Sequence, residues 1–515
     1  MLIFKAEKKK GPLMFKEFFQ NIKERLYIFN YLGSLLVITG LFMLLPLIPI
    51  FIYNEEQSLH TFIIPAVLSL LTGGLLHMYF PLKKPSVRGA MIITALGWII
   101  VGLIGGLPYI IGLKKSFIDA FFESVSGFTT TGITVFEHLD SMPRCILFWR
   151  AFTQWLGGIG ILSFFMAVSF RSGSIAASLF SAEGHKVTVA RPAPGIFHTL
   201  VILWSIYGLF SIFSFFLFFV GGMNAFDAIT HAFTCISTGG FSTHDASLAY
   251  WEQKKIGHPW FIELSAVAIM LAGGTNFLIH YRIFQGKIKT LFKDFEMKWY
   301  WLFAASAVSV IMLDHFIAFI QTEPIDITDF CKIFRISIFQ VSSLITSTGY
   351  LTVDINSPFF PALSKQVLLT LMIIGGCIGS TAGGIKVMRA GLLFRLFYLE
   401  LKKLVRPRRA VLPLVISGKI VDSDEIYRIA ALVWGWLVIV MTGAFITAFF
   451  SDLDPWQALS GMASAMGNMG PFYFSVHKMA TLSWIIKLTY IFAMLAGRLE
   501  ILPLAVLITI LFRRL

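Results

Sequence analysis

The chain has 515 residues, of which 57% are hydrophobic and only 14% charged, with a formal net charge of +14. That balance excludes a soluble globular protein, because apolar stretches long enough to cross a hydrocarbon core of ~30 Å recur along its whole length. The basic excess falls mostly in alternate loops, Lys114-Lys115 and Lys254-Lys255 excepted, without aromatic-basic interleaving, so membrane topology accounts for most of it and nucleic-acid binding is not suggested.

In chain order, residues 1–29 form a cytoplasmic basic arm carrying Lys5, Lys8, Lys9, Lys10, Lys16, Lys23 and Arg25, which argues against a cleavable leader. Apolar spans are predicted near 30–53, 61–82, 89–113, 145–170, 196–222, 258–284, 298–321, 365–398, 426–450 and 482–512. Basic clusters at Lys83 to Arg88, Arg282 to Lys298, Lys386 to Lys419 and Arg513-Arg514 alternate with loops holding Glu55, Glu137, Glu323 and Asp452. Ten spans with this alternation put both termini on the cytoplasmic side. Cys145, Cys235, Cys331 and Cys377 stand singly and suggest neither a disulfide framework nor a zinc site.

Four Thr/Ser/Asn-rich dips interrupt the apolar sequence, each with a glycine: Gly132 in TTTGITV, Gly240 in STGGFST, Gly349 in TSTGYLT and Gly470 in GNMGPFY. They lie 108, 109 and 121 residues apart, which reads as one unit repeated four times. Small or hydroxyl residues recur at fixed offsets before each glycine. Twelve before stand Ala120, Ala228, Ser337 and Ala458; six before, Ser126, Thr234, Ser343 and Ser464; two before, Thr130, Thr238, Ser347 and Asn468. The expected fold is an all-α polytopic membrane protein with four quasi-symmetric span–pore-loop–span repeats around a central cation pore. Two extra spans (30–88) precede repeats at 89–195, 196–297, 298–425 and 426–515. External polar loops are the competing reading of the dips.

Irregular backbone at membrane depth survives only where it lines a wet path or is buried in protein. Rings of backbone carbonyls replace an ion's hydration water, and glycine permits the required conformations. The candidate filter is therefore Thr130, Thr131, Gly132, Thr238, Gly239, Gly240, Ser347, Thr348, Gly349, Asn468, Met469 and Gly470. A half-helix before each dip would aim its partly negative C-terminal end at the axis. Asp119 and Asp227 are expected to cap the first two of these helices.

After the third dip comes a glycine-rich break in an apolar span, with Gly376, Cys377, Gly379, Ser380, Thr381, Gly383 and Gly384 as candidate gate residues. Close helix packing through small residues is the alternative. A phosphate cradle fits poorly, since Ile385 occupies the lysine position of that motif. Arg498 is expected mid-span in the last helix, where a charge costs ~2.5–3.5 kcal/mol, with Glu500 as a possible local partner.

On these motifs the chain resembles the Trk/Ktr/HKT superfamily of potassium transporters, in its Trk branch, across about residues 30–515. The resemblance implies potassium uptake, with potassium held at the filter as substrate and no cofactor, in a bacterial cytoplasmic (inner) membrane. It implies a homodimer with one pore per protomer and a separate cytoplasmic nucleotide-binding regulatory subunit. It also implies an intramembrane gating loop and an arginine, here Arg498, that obstructs cations in the closed state. Glycine at all four key positions resembles the potassium-selecting members. The fourth filter departs, with fewer hydroxyls and the bulky Phe472-Tyr473 flank. Competing classes are an intramembrane lipid-modifying enzyme using Glu123, His231 and Arg335, and a secondary transporter coupled to sodium or protons.

Overall fold

The computed structural model describes residues 26–160, 196–320, 327–407, 413–416, 419–421 and 423–512. The basic arm up to residue 25 and the second half of the span expected at 145–170 lie outside them. Described residues are mostly α-helical. Their extended pairings are Ile374–Gly375 with Ile385–Lys386, parallel, and Val415–Ile416 with Lys419–Ile420, antiparallel.

Among the described residues, six helices are long and apolar enough to cross a membrane: Tyr27–Ile52, Glu56–Tyr79, Arg88–Leu113, Leu200–Val220, Phe295–Ala318 and Ser423–Phe449. Large apolar side chains such as Ile212, Phe216, Phe316, Trp434 and Phe445 stay exposed on them, as hydrocarbon surroundings allow. The first two pack backbone to backbone. A Cβ on Gly33 would come 2.7 Å from the Gly73 carbonyl oxygen, and Asn30 donates to the carbonyls of His77 (2.8 Å) and Phe80 (2.7 Å).

Three expected spans are not continuous helices. Residues 258–284 divide into Pro259–Gly273 and Phe277–Phe284, bent by 100°, and the last span into Trp484–Arg498 and Leu502–Thr509, bent by 118°. The span expected at 365–398 runs as helix Ala362–Ile373, leaves helical geometry through residues 374–386 and resumes as Val387–Leu404. Arg498 thus ends a helix instead of lying within a continuous one, and the non-glycine residues Glu500 and Ile501 follow it at φ 53° and 69°. The breaks fall where backbones touch. A Cβ on Gly273 would lie 2.8 Å from the Ile236 carbonyl oxygen, and Gly157 and Gly497 abut the Phe128 and Met466 carbonyls in the same way.

Four shorter helices, Phe117–Phe128, Ala225–Ile236, Ile327–Ile345 and Pro455–Gly467, lead to the dips. Their N-termini correct the capping expectation. Ser116 and Asn224 are the caps, accepting the N–H groups of Asp119 (3.1 Å) and Asp227 (2.9 Å), which themselves sit in the first turn. A cap needs extended φ/ψ, and the chain turns helical three residues earlier than the carboxylates suggest. The fourth helix has a reciprocal capping box between Asp454 and Gln457.

Helix Arg144–Ile159 is locked to the first short helix by Arg150 and Glu123, 2.8 Å apart and almost wholly buried. Val135 N–H (3.0 Å) and the Thr134 hydroxyl (2.8 Å) also donate to that carboxylate. Removing one partner strands a buried charge, so Glu123→Ala should destabilise the protein by ~3–5 kcal/mol. The expected readout is a lower Tm in detergent, partly recovered when Arg150→Ala is added. An unchanged Tm would remove this pair as an anchor.

Candidate functional site

Each short helix ends in the same pair of main-chain hydrogen bonds. The residue before the key glycine donates its N–H five residues back: Thr131 to Ser126 (2.9 Å), Gly239 to Thr234 (2.9 Å), Thr348 to Ser343 (2.8 Å) and Met469 to Ser464 (2.9 Å). The residue before that donates three back: Thr130 to Gly127 (3.0 Å), Thr238 to Cys235 (3.0 Å), Ser347 to Leu344 (2.9 Å) and Asn468 to Ala465 (3.3 Å). This Schellman closure requires a left-handed residue, and Thr130, Thr238, Ser347 and Asn468 supply it at φ 52°, 52°, 55° and 52°. The key glycines follow at φ 80°, 75°, 84° and 99°, with a residue of negative φ between. A β-branched threonine at positive φ is strained and persists only where its surroundings over-determine it.

The four glycines meet. A Cβ on Gly132 would overlap the Gly239 carbonyl oxygen, one on Gly240 that of Thr348, and one on Gly349 that of Met469. On Gly470 it would lie 3.2 Å from the Thr131 carbonyl oxygen and 3.6 Å from the Gly349 Cα. Each glycine leans on the carbonyl preceding the next, and the fourth closes on the first. All twelve sequence-predicted filter residues come together in this ring.

Side chains hold the ring from behind, differently in each quarter. Thr129 and Thr131 hydroxyls lie 2.7 Å apart, as do those of Thr346 and Thr348. Ser126 and Ser343 donate to the carbonyls just past their glycines, at Ile133 (2.5 Å) and Tyr350 (2.7 Å). Asn468 donates to the Thr131 hydroxyl (2.8 Å) and the Met494 carbonyl (3.0 Å). Gln154, which sequence reasoning missed, contacts the second quarter. The bulky fourth flank is accommodated outside the ring, with Tyr473 N–H donating to Ser460 (3.0 Å) and its hydroxyl to the Lys365 carbonyl. Thr130 Oγ1, Ser464 Oγ and Asn468 Oδ1 are buried with no hydrogen-bond partner among the described residues.

The glycine-rich loop docks directly against this ring. Gly383 N–H donates to the Ser347 hydroxyl (2.6 Å), and the Thr381 hydroxyl lies 3.0 Å from that of Thr238. Its backbone pairs with the broken helix, Cys377 N–H to Gly274 (2.9 Å), Thr381 N–H to Gly273 (3.2 Å) and Phe277 N–H to Gly379 (3.1 Å). Gly376, Ser380 and Gly384 belong to the same turn, whose Ser380 hydroxyl donates to the Cys377 carbonyl (2.6 Å). Arg498 donates to the carbonyls of Thr381 (2.8 Å), Gly158 (3.1 Å) and Gly157. Glu500 is engaged by Arg389 at 2.6 Å, on a different element from its sequence neighbour Arg498. Glu296, a second residue that the sequence did not reveal, accepts the Ile378 N–H at 2.7 Å.

The family model for TrkH, described as a cation transport protein, matches residues 58–513. The chain belongs to the TrkH family. It is 32% identical over 491 residues to an uncharacterized cation transporter of Methanocaldococcus jannaschii, covering 94% of this chain and 95% of that one. The Trk system potassium uptake protein TrkH of Vibrio parahaemolyticus is 33% identical over 507 residues, 95% of this chain and 99% of the relative. The Trk system potassium uptake protein TrkG of Escherichia coli is 33% identical over 502 residues, 94% and 97% respectively. The crystal structure of the potassium transporter TrkH from Vibrio parahaemolyticus is similar with a TM-score of 0.81 and 29% identity, covering 94% of this chain and 98% of that chain.

A TrkH-family protein is a membrane cation transporter and not an enzyme, which overturns the lipid-modifying alternative. The three residues offered for it also stand in separate contacts. Glu123 pairs with Arg150, His231 bonds the Asp227 carbonyl (2.8 Å) and Ser242 (3.0 Å), and Arg335 lies 2.8 Å from Glu252.

In this TrkH-family chain the segments following the first two glycines meet in a charged cluster. His244 contacts Asp140 at 2.5 Å and Asp227 at 3.3 Å, Asp245 accepts the Leu139 N–H (3.1 Å), and the imidazole stacks on Tyr250 at 3.5 Å. Burial opposes its charge, but hydrogen bonds and charge from Asp227 and Asp140 outweigh that, so His244 titrates above its ordinary 6.5. A pKa raised by folding contributes stability that is complete below 6.5 and lost as pH rises through the folded value. The expected result is a Tm that falls as pH rises above 6.5, with the slope flattened in His244→Gln. An equal slope in both proteins would remove His244 from that role.

Proposed function

We propose that this TrkH-family protein takes up potassium across the cytoplasmic membrane through the ring of four glycines, acting as a selectivity filter. The closure of that ring, each glycine against the carbonyl preceding the next, is the observation that carries the reading. That the TrkH and TrkG relatives are potassium uptake proteins supports the ion. Alternating signs of φ at three successive residues let neighbouring carbonyls face one side, where they replace water around a dehydrated cation. Four helix C-termini converge there and favour positive charge without an acidic ring. Thr130, Thr131, Gly132, Thr238, Gly239, Gly240, Ser347, Thr348, Gly349, Asn468, Met469 and Gly470 form the filter in this reading.

The loop with Gly376, Cys377, Gly379, Ser380, Thr381, Gly383 and Gly384 acts as the gate, and Arg498 secures it closed. A guanidinium donating to three main-chain carbonyls, two at the end of helix Arg144–Ile159, supports that role. The reading keeps ten spans, an N-terminal pair followed by eight in four repeats, with both termini cytoplasmic. It includes a homodimer and a separate cytoplasmic nucleotide-binding regulator.

Flux into proteoliposomes tests both parts. Gly349→Ala places a methyl against the Met469 carbonyl at positive φ and should lower potassium-over-sodium discrimination on the order of tenfold, about 1.4 kcal/mol. Full discrimination in Gly240→Ala and Gly349→Ala alike would overturn the filter. Arg498→Ala, or deletion of residues 377–382, should raise resting potassium flux. Flux lowered or unaltered in both would overturn the gate.

A further inference from the structure

Three quarters of the ring have a side-chain brace of their own: the Thr129–Thr131 and Thr346–Thr348 hydroxyl pairs, and the Asn468 amide. The second quarter has Gly239-Gly240, a pair with no side chain to brace and the greatest backbone freedom to lose. Gln154, wholly buried on helix Arg144–Ile159, occupies the gap. Its amide nitrogen donates to the Gly239 carbonyl (2.7 Å) and its amide oxygen accepts the Phe241 N–H (3.0 Å). One helical turn earlier, Arg150 donates to the Ser242 carbonyl (3.2 Å) and lies 4.2 Å from the Phe241 ring centre. A single helix face therefore grips the main chain on both sides of Gly240.

The internal repeat marks this contact as specific to one quarter. The residue before the key glycine is Thr131, Thr348 or Met469 elsewhere and glycine only at 239. A Cβ at Gly239 would overlap the Gln154 amide, so the missing side chain and the glutamine belong together. Gly157, Gly273 and Gly497 occupy matching places against the carbonyls of Phe128, Ile236 and Met466. Three residues before them stand Gln154, Met270 and Met494, so the amide takes the place that buried methionines hold in two other quarters.

We propose that Gln154 is a positioning residue for ion discrimination, fixing the ring carbonyl of Gly239 that the second quarter cannot brace itself. The proposal rests on the filter reading above. A residue that served only packing would move stability and total flux, whereas one that sets the ring moves the ratio between two ions.

The test measures potassium and sodium uptake into proteoliposomes for wild type, Gln154→Met, Gln154→Ala, Gly239→Ala and the double variant Gln154→Ala/Gly239→Ala. Gln154→Met should lower the potassium-over-sodium ratio roughly five- to tenfold, the scale of losing one or two hydrogen bonds. Gly239→Ala should lower it similarly by displacing the amide, and should add little once Gln154 is alanine. A wild-type ratio in Gln154→Met, or losses that multiply independently in the double variant, would overturn the proposal. If Gln154→Met fails to assemble, the Gly239→Ala comparison with and without Gln154→Ala decides. Wild-type protein lacking selective potassium flux would instead bring down the filter reading itself.

Discussion

A main chain that leaves helical geometry inside a membrane protein must find new partners for every N–H and carbonyl it exposes. In this protein that requirement is met four times by one device, the left-handed residue two before each glycine. It lets the last turn close on itself, satisfies two N–H groups, and turns the following carbonyls toward the neighbouring quarter. The strain of Thr130 and Thr238 at positive φ is tolerated because the closure, the adjacent quarter and the docked loop all hold the same conformation.

The same accounting explains the broken helices. Gly157, Gly273 and Gly497 allow their helices to abut carbonyls near the ends of the short helices, and after Gly273 and Gly497 the chain bends sharply. In the third quarter an excursion of the main chain replaces a simple bend, closed at its base by the pairing of Ile374–Gly375 with Ile385–Lys386. Its amides reach Glu296, Ser347 and the carbonyls at 273–274, so a glycine-rich segment is held by polar contacts instead of apolar packing.

Much of the ring was legible because its residues act on their own backbone. A hydroxyl six before the glycine and a residue tolerant of left-handed geometry two before it leave a local signature that repeats in register. The bends within residues 258–284 and 482–512 were not legible: Gly273-Gly274-Thr275-Asn276 and Gly497-Arg498 interrupt the apolar sequence there, but the carbonyls these glycines abut, at Ile236 and Met466, lie 37 and 31 positions away. Asp119 and Asp227 misled because a carboxylate in the first turn and one at the cap look alike without the backbone angles. Gln154 and Glu296 reach partners 85 and 82 positions away, so nothing beside them in the chain marks their purpose.

Arg498 ends the last quarter's helix, yet its guanidinium holds Thr381 on the third quarter's loop and Gly157 and Gly158 at the end of the first quarter's second helix. One guanidinium therefore ties three separate stretches of backbone together. In the gate reading proposed above, displacing the loop and displacing the arginine are coupled, because each removes a contact that the other also needs.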